Sequence, residues 1–394
     1  MTQPPMLTWT EDDQVRTARW RSENGAPVPR RVVVADDQTR ADDALRLARD
    51  GAVLLWRGDF QNARLLLQAM TRRLDRPSGP RPASASLTDQ FHRHRLAQAQ
   101  RARLLSAIVM PVEADYTIAL RRAPDWRQAC EEAYGAPDGQ MSVVSLRELL
   151  GLVGAHEWRK KGVPIVATGG RVHAHYGVFS PVRGEYIDLV ATTPLPSAAL
   201  AFDIGTGTGV LAAVLAQRGV QRIVATDLDP RALACAADNL ERLGHAGQVE
   251  LVKADLFPAG RAPLVVCNPP WLPGKPSSSI EHAIYDPESR MLKGFLAGLA
   301  EHLSPGGQGW LILSDLAEHL GLRSRAQLLE WITQGGLRVL DVRTIRPRHP
   351  KAGDPQDALH AARSAEVTML WQLVIDAPLR TGDGVTSLNP GTGG

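Results

Sequence analysis

Cysteine is scarce: Cys130, Cys235 and Cys267 are the only three in 394 residues, far apart and in no CxxC or Cys/His spacing. That argues against a disulfide framework and a structural zinc site, and a reducing, cytoplasmic compartment is expected. Long apolar runs are missing too, since no stretch approaches the roughly eighteen uncharged residues that would suggest a membrane span. Met1 to Trp9, with Pro4 and Pro5, carries neither a basic n-region nor an apolar h-region, so no export signal is expected. Among 45 basic residues the lysines are only Lys160, Lys161, Lys253, Lys275, Lys293 and Lys351. Beside abundant Ala, Gly and Pro, that arginine bias fits a GC-rich coding sequence as well as a need for guanidinium groups. The net charge of +3 does not by itself imply a polyanionic partner, because nucleic-acid affinity comes from a local basic surface.

What is present is enough chain for two domains with a sizeable core. No repeat at a solenoid period occurs, and one low-complexity stretch, Arg76 to Ser86, predicts a mobile loop. Before it, Val32 to Ala35 and Ala52 to Trp56 read as buried strands, and Ala41 to Arg49 and Asn62 to Leu74 have helical spacing. After it come a polar, Arg-rich helix over Leu87 to Ser106, a strand near Ala107 to Val112 and a helix near Arg127 to Tyr134. Residues 1–161 are thus expected to form a mixed α/β domain.

From Gly162 the pattern becomes regular, as in a parallel sheet flanked by helices. Seven strands are countable: Ala199 to Ile204, Arg222 to Thr226, Val249 to Val252, Leu264 to Cys267, Gly309 to Leu313, Leu337 to Thr344 and Val367 to Ile375. Helices are expected at Val210 to Arg218, Arg231 to Leu243, Ser289 to Leu303 and Ser324 to Gln334, with Pro230 at a helix start. The second domain is taken as 162–376, and 377–394 as a disordered tail.

The first of these strands runs into Gly205-Thr206-Gly207-Thr208-Gly209 and a helix, a tight turn beside a nucleoside ligand. The second ends in Asp227, 22 residues beyond Gly205, the spacing at which an acid meets ribose hydroxyls. Gly207 to Ala212 also satisfies the relaxed dinucleotide fingerprint GxGxxA, so a nicotinamide or flavin site, or a purely structural turn, competes. Two features count against a dinucleotide. Asp203 precedes the loop, where an anion repels a pyrophosphate and attracts an ammonium. The fourth strand ends in Asn268-Pro269-Pro270-Trp271, a rigid turn.

Asp203 to Gly209, Asp227, Ala254-Asp255-Leu256-Phe257 and Asn268 to Trp271, in this order and spacing, resemble class I S-adenosylmethionine-dependent methyltransferases with a Rossmann-like seven-stranded sheet. Within them the chain resembles the small-domain branch, which includes ribosomal RNA and release-factor glutamine N-methyltransferases. The likeness runs over roughly Gly177 to Val374 and includes the turn at Ser304-Pro305-Gly306-Gly307. No family module is recognised in the N-terminal half. The resemblance implies that Asp203, Gly205, Thr206, Gly207 and Gly209 hold the methionine part of the cofactor and that Asp227 holds the ribose hydroxyls, with Leu228 next to it also cofactor-binding. Asp255 and Leu256 would meet the adenine, with a cap on the following turn as the competing structural role of Asp255. His175 to Pro181, with Glu185 and Tyr186, resembles the segment that closes over the cofactor. Tyr176 and Phe179 read as core aromatics ahead of cofactor contacts, and Cys267 as a small apolar residue beneath the turn.

Methyl transfer from a sulfonium is an in-line displacement that mainly requires placing a nucleophile and excluding water, with no need of a metal. The Asn268 side-chain oxygen and the Pro269 carbonyl can accept the two N–H bonds of a planar amine or amide and favour its developing positive charge. Trp271, where the family most often has Tyr or Phe, would stack on the group bearing that amine. His92 and His94, and His173 and His175, lack a third ligand nearby, so no metal site is expected.

Between Arg72 and Arg103 eight arginines face two aspartates, a local +6. This is a candidate RNA-contacting face, although a charge run on a helix is usually a solvated surface and only Phe91 interleaves it. The leading reading is an N-methyltransferase acting on an RNA base; a protein glutamine methyltransferase and a catalytically silent nucleic-acid-binding module are the alternatives.

Overall fold

The computed structural model describes residues 4–76, 86–276, 279–347 and 359–376. The predicted disordered tail, and nearly all of the predicted mobile loop with Arg81, lie outside the described residues.

The N-terminal half opens with a hairpin, β1 (Met6–Glu11) and β2 (Gln14–Arg21), that sequence reading did not anticipate. Asp12 and Asp13 both take positive φ, 51° and 59°, at its two-residue turn, the twist such hairpins require. There follow β3 (Arg31–Ala35), α1 (Ala41–Arg49), β4 (Ala52–Trp56), α2 (Phe60–Leu74), α3 (Leu87–Leu105), β5 (Ile108–Val112), α4 (Arg127–Tyr134), β6 (Ser142–Ser145) and α5 (Leu146–Lys161). The strands form one mixed sheet in the order β1-β2-β6-β5-β4-β3. Its central strands alternate between two cores: Leu54 and Trp56 pack with Ile108 and Met110 under the helices, while Val53 and Leu55 face Leu7, Trp9 and Trp20.

A short hairpin, β7 (Val163–Ile165) and β8 (Gly170–Val172), leads into α6 (Glu185–Thr192), β9 (Leu200–Ile204), α7 (Val210–Gln217), β10 (Arg222–Asp227), α8 (Pro230–Arg242), β11 (Val249–Lys253) and β12 (Ala262–Cys267). The chain continues through α9 (Arg290–His302), β13 (Leu303–Ser314), α10 (Leu316–His319), α11 (Arg325–Gln334), β14 (Leu337–Ile345), α12 (His360–Ala365) and β15 (Thr368–Ile375). The second sheet has the seven expected strands, in the order β11-β10-β9-β12-β13-β15-β14.

β9 to β13 are parallel, and β15 is antiparallel to both its neighbours. The cause is where the last strand enters. Leu359 and Ala362 pack with Leu316, Ala317 and Leu320 just past the carboxyl end of β13, so β15 starts from that edge and runs back. Helices cover both faces: α7 packs Leu211 and Val214 on one, α9 packs Leu292, Phe295 and Leu299 on the other.

The Arg-rich α3 joins the two halves. Its Phe91 is 3% exposed and sits with Leu272, Leu316 and Leu320, and its Thr88 hydroxyl donates to the Leu320 carbonyl at 2.8 Å. Arg95 pairs with Glu281 at 3.2 Å and lies over the Tyr285 ring. Arg231 to Glu23, at 2.6 Å, makes a second tie between the halves.

Candidate active site

Strand order reverses between β9 and β12, and a crevice opens outside the carboxyl ends of strands at such a point. Cys267 pairs with Ile204 across it, so the glycine loop and the Asn-Pro-Pro-Trp turn leave the sheet side by side. A cavity of about 530 Å³ lies there, lined by Gly205, Gly207, Asp227, Asp255, Asn268 and Trp271 among others.

The loop is held from beneath. Gly205, Gly207 and Gly209 take φ of 72°, 55° and 78°, and the amides of Gly205 and Thr206 both donate to the Thr226 carbonyl. A Cβ on Gly207 would meet nothing within 4 Å, whereas one on Gly209 would press on Ala236 of α8 at 3.1 Å. Gly207 therefore leaves room for a ligand, and Gly209 lets loop and helix approach.

Asp203 departs from expectation. It is 1% exposed and does not line the cavity; its Oδ2 accepts from the Thr206 hydroxyl at 2.7 Å and from the Ala212 N–H at 3.1 Å. It braces the turn from inside, and burial pushes its carboxyl up to about 6 against the pull of those hydrogen bonds. Its Oδ1 is buried with no hydrogen-bond partner among the described residues.

Asp227 does line the cavity. Its two oxygens accept from the N–H groups of Gly207 and Asp229, each at 3.0 Å, which fixes the carboxylate while leaving lone pairs free on both oxygens. Burial raises its pKa. Leu228 beside it is 56% exposed. Asp255 forms an ion pair with Arg290 rather than capping the next turn, and Leu256 takes φ of 79° so that its carbonyl accepts from the Thr226 hydroxyl.

On the other side, Asn268, Pro269, Pro270 and Trp271 all line the cavity, and the Trp271 indole N–H donates to Asn268 Oδ1 at 2.8 Å. The oxygen expected to receive a substrate N–H thus already accepts one bond, with a second lone pair remaining. The Trp271 ring also packs partly against the cores on both sheet faces. Beneath, Cys267 is fully buried and its thiol is pushed well up by burial.

The segment after β8 divides its side chains. Gly177, Val178, Phe179 and Tyr186 line the cavity, whereas Tyr176 packs against the N-terminal core and His175 Nε2 lies 3.2 Å from Asp238 Oδ2. Of the two predicted core aromatics, Tyr176 is one and Phe179, 36% exposed, is not.

Several lining residues carry no sequence signal. Tyr285 arrives from the segment before α9, and Arg290 and Met291 from its first turn, which is fixed by the buried Asp286 accepting from the N–H groups of Met291 and Leu292. Arg183 and Glu366 meet at 3.7 Å, joining the segment before α6 to the start of β15. Among the described residues, no group of three or more His, Cys, Asp or Glu side chains is arranged to hold a metal ion, and no helix is long and apolar enough to cross a membrane.

Residues 169–325, containing the loop, Asp227, Asp255 and the Asn-Pro-Pro-Trp turn, match the methyltransferase small domain family. They form a methyltransferase small domain. A methyltransferase small domain bearing these motifs implies S-adenosylmethionine as its cofactor.

Release factor glutamine methyltransferase of Cereibacter sphaeroides is 42% identical over 130 residues, 32% of this chain and 43% of that protein. The tRNA1(Val) (adenine(37)-N6)-methyltransferase of Bacteroides fragilis is 32% identical over 158 residues, 36% of this chain and 66% of that protein. The chain thus spans less than two thirds of either relative. A solved S-adenosylmethionine-dependent methyltransferase from Thiobacillus denitrificans, in complex with S-adenosyl-L-homocysteine, is 17% identical with a TM-score of 0.35, covering 54% of this chain and 99% of that one.

The cavity suits this cofactor. Open space at Gly207 admits a ligand against the backbone, and the anchored Asp227 carboxylate offers acceptors to vicinal hydroxyls.

Proposed function

We propose that the protein is an N-methyltransferase acting on a planar amine or amide nitrogen, with an RNA base as its leading substrate. The observation that carries this reading is the Asn268 to Trp271 turn opening into the same cavity as the Gly205 loop and Asp227. Asp227 would hold the ribose hydroxyls, Gly205 to Gly207 the methionine part, and Leu228, Asp255 and Leu256 the adenine, with Asp203 and Gly209 shaping the loop from behind. When bound, S-adenosylmethionine supplies an electrophilic methyl group on a sulfonium.

The rest of the work falls to this chain. The remaining lone pair of Asn268 Oδ1 and the Pro269 carbonyl accept the substrate N–H bonds, orienting the nitrogen and favouring the positive charge it develops. The Trp271 N–H holds the Asn268 oxygen in place, and the Trp271 ring offers a face to the planar substrate. Phe179 and Tyr186 wall the cavity and exclude water.

Glutamine of a protein is the second reading, favoured by the release-factor relative, because the same turn suits an amide nitrogen. Incubation with radiolabelled S-adenosylmethionine and extract from cells lacking the protein, followed by separation of RNA, DNA and protein, distinguishes the two. Label in RNA is the expected result, and label in protein replaces it with the second reading. Absence of S-adenosylmethionine binding by calorimetry would leave only a silent binding module.

A further inference from the structure

A second cavity of about 1310 Å³ lies between the two halves and adjoins the first, since Gly177 and Val178 line both. Six arginines line it, Arg21, Arg30, Arg31, Arg95, Arg103 and Arg147, against three carboxylates, Asp50, Glu148 and Glu281. Two of those acids are committed. Glu148 is buried and accepts from the Glu23 N–H and the Tyr134 hydroxyl, and Glu281 pairs with Arg95. Arg30, Arg31 and Arg147 form no ion pair with any described carboxylate. Arg147 is exposed, and partial burial of its guanidinium, with the neighbouring Arg101 charge, lowers its pKa.

The wall also carries Trp158 of α5, whose side chain is 55% exposed, with Tyr176 nearby on the same lining. Unpaired guanidinium groups beside a solvent-facing indole are what a single strand of nucleic acid uses, phosphates to the cations and bases to the ring. An acidic peptide would meet the cations but offer nothing to the indole.

This basic surface is not the linear run that sequence suggested. Arg73 is tied to Asp42 and Arg101 to Asp75, and among the described residues of the run Arg72 to Arg103 only Arg95 and Arg103 line the cavity. The rest comes from the end of β2, the start of β3 with the residue before it, and the start of α5.

We propose that this cavity holds the phosphodiester backbone and flanking bases of a single-stranded RNA, whose target base passes Gly177 and Val178 into the cofactor cavity. The proposal rests on the N-methyltransferase reading with RNA as substrate.

Fluorescence anisotropy with labelled oligouridine tests it, with oligothymidine and a poly-glutamate peptide in parallel. Wild-type protein should bind oligouridine in preference to both. Combined Arg30→Gln, Arg31→Gln and Arg147→Gln should weaken binding by about tenfold or more and lower the slope of log affinity against log salt by roughly 2. Trp158→Ala should weaken it about tenfold with the slope kept, and Arg338→Gln, on β14, should change nothing. Oligouridine binding unaltered in the arginine and Trp158 variants, or preference for oligothymidine or the peptide, overturns the proposal. Failure of the underlying reading looks different: calorimetry with S-adenosylhomocysteine would then give no heat even with wild-type protein, whereas all variants should keep that affinity if only the RNA cavity is altered.

Discussion

In the N-terminal sheet the loop after β4 is filled from within. Gly58 abuts the Asp37 side chain, the Asp59 N–H donates to Asp37 Oδ1 at 2.9 Å, and the Asp59 carboxylate accepts from Gln61 and pairs with Arg122 at 2.7 Å. In the C-terminal sheet the loop after β9 stands open: Gly207 has nothing above it, and Asp227 is anchored by two backbone N–H groups yet keeps lone pairs for a ligand. Both are strand-loop-helix units with a buried or partly buried carboxylate nearby. The difference lies in what completes the acid, an arginine of the same half in one case and free space in the other. Architecture alone does not make a site; unspent hydrogen-bonding capacity at a strand end does.

The largest expected effect falls on the open side. Asn268→Ala should lower turnover by about 100-fold or more while S-adenosylhomocysteine affinity by calorimetry stays near wild type. Survival of turnover would remove the amine-orienting role. Next comes a direct exchange between the two loops. Asp227→Ala should weaken cofactor binding by about tenfold to a hundredfold, the loss of charge-assisted bonds to hydroxyls. Asp59→Ala should leave that affinity unchanged and lower the melting temperature by a few degrees, since Asp59 caps α2. If Asp59→Ala weakened the cofactor as much, the two loops would not differ as described.

The same contrast explains what was legible from the residues alone. Asp227, Gly205 to Gly209 and Asn268 to Trp271 adjoin apolar runs with turn residues in place, so strand end and chemistry are read together. Arg290, Tyr285, Arg183 and Glu366 reach the cavity only through topology, and nothing local marks them. Helix α1, Ala41–Arg49, was visible as an amphipathic stripe, with Ala41, Ala44, Leu45 and Ala48 buried. The β1–β2 hairpin was not: Asp12-Asp13 lacks the glycine that usually announces such a turn, and Gln14 to Thr17 are exposed. The direction of β15 was hidden because six of its eight residues are buried, and a strand covered on both faces reads alike in either direction. The arginine run misled because its partners Asp42 and Glu281 are distant in sequence.

Titration should separate Asp203 of the open site from Glu11 of the closed half by sign. Asp203 is raised by burial from 3.8 to about 6, so between those values the native state binds more protons than the unfolded chain. Stability of the ligand-free protein then falls as pH rises through that window, by up to about 1.4 kcal/mol per pH unit, and Asp203→Asn should remove this slope in denaturant titrations. Glu11 of the closed half is lowered from 4.5, first by its hydrogen bond from Arg57, so its contribution is present above that value and lost as pH falls through the lowered one. Glu11→Gln should therefore flatten the acid limb. Matching signs in the two variants would contradict the contrast.

The smallest effect concerns a bond by which the open site takes up some of its own capacity, from Trp271 Nε1 to Asn268 Oδ1. Trp271→Phe deletes the donor while keeping an aromatic face. If the indole N–H serves to aim the oxygen, its loss frees the carboxamide to rotate, and turnover should fall about fivefold, the worth of one ordinary hydrogen bond. KM for the methyl acceptor and affinity for S-adenosylhomocysteine should barely move, because neither stacking nor the Asp227 side is touched. A rise in turnover would mean that the N–H competes with substrate for the oxygen, placing Trp271 with the self-satisfied groups of the N-terminal half instead of with the open ones around it.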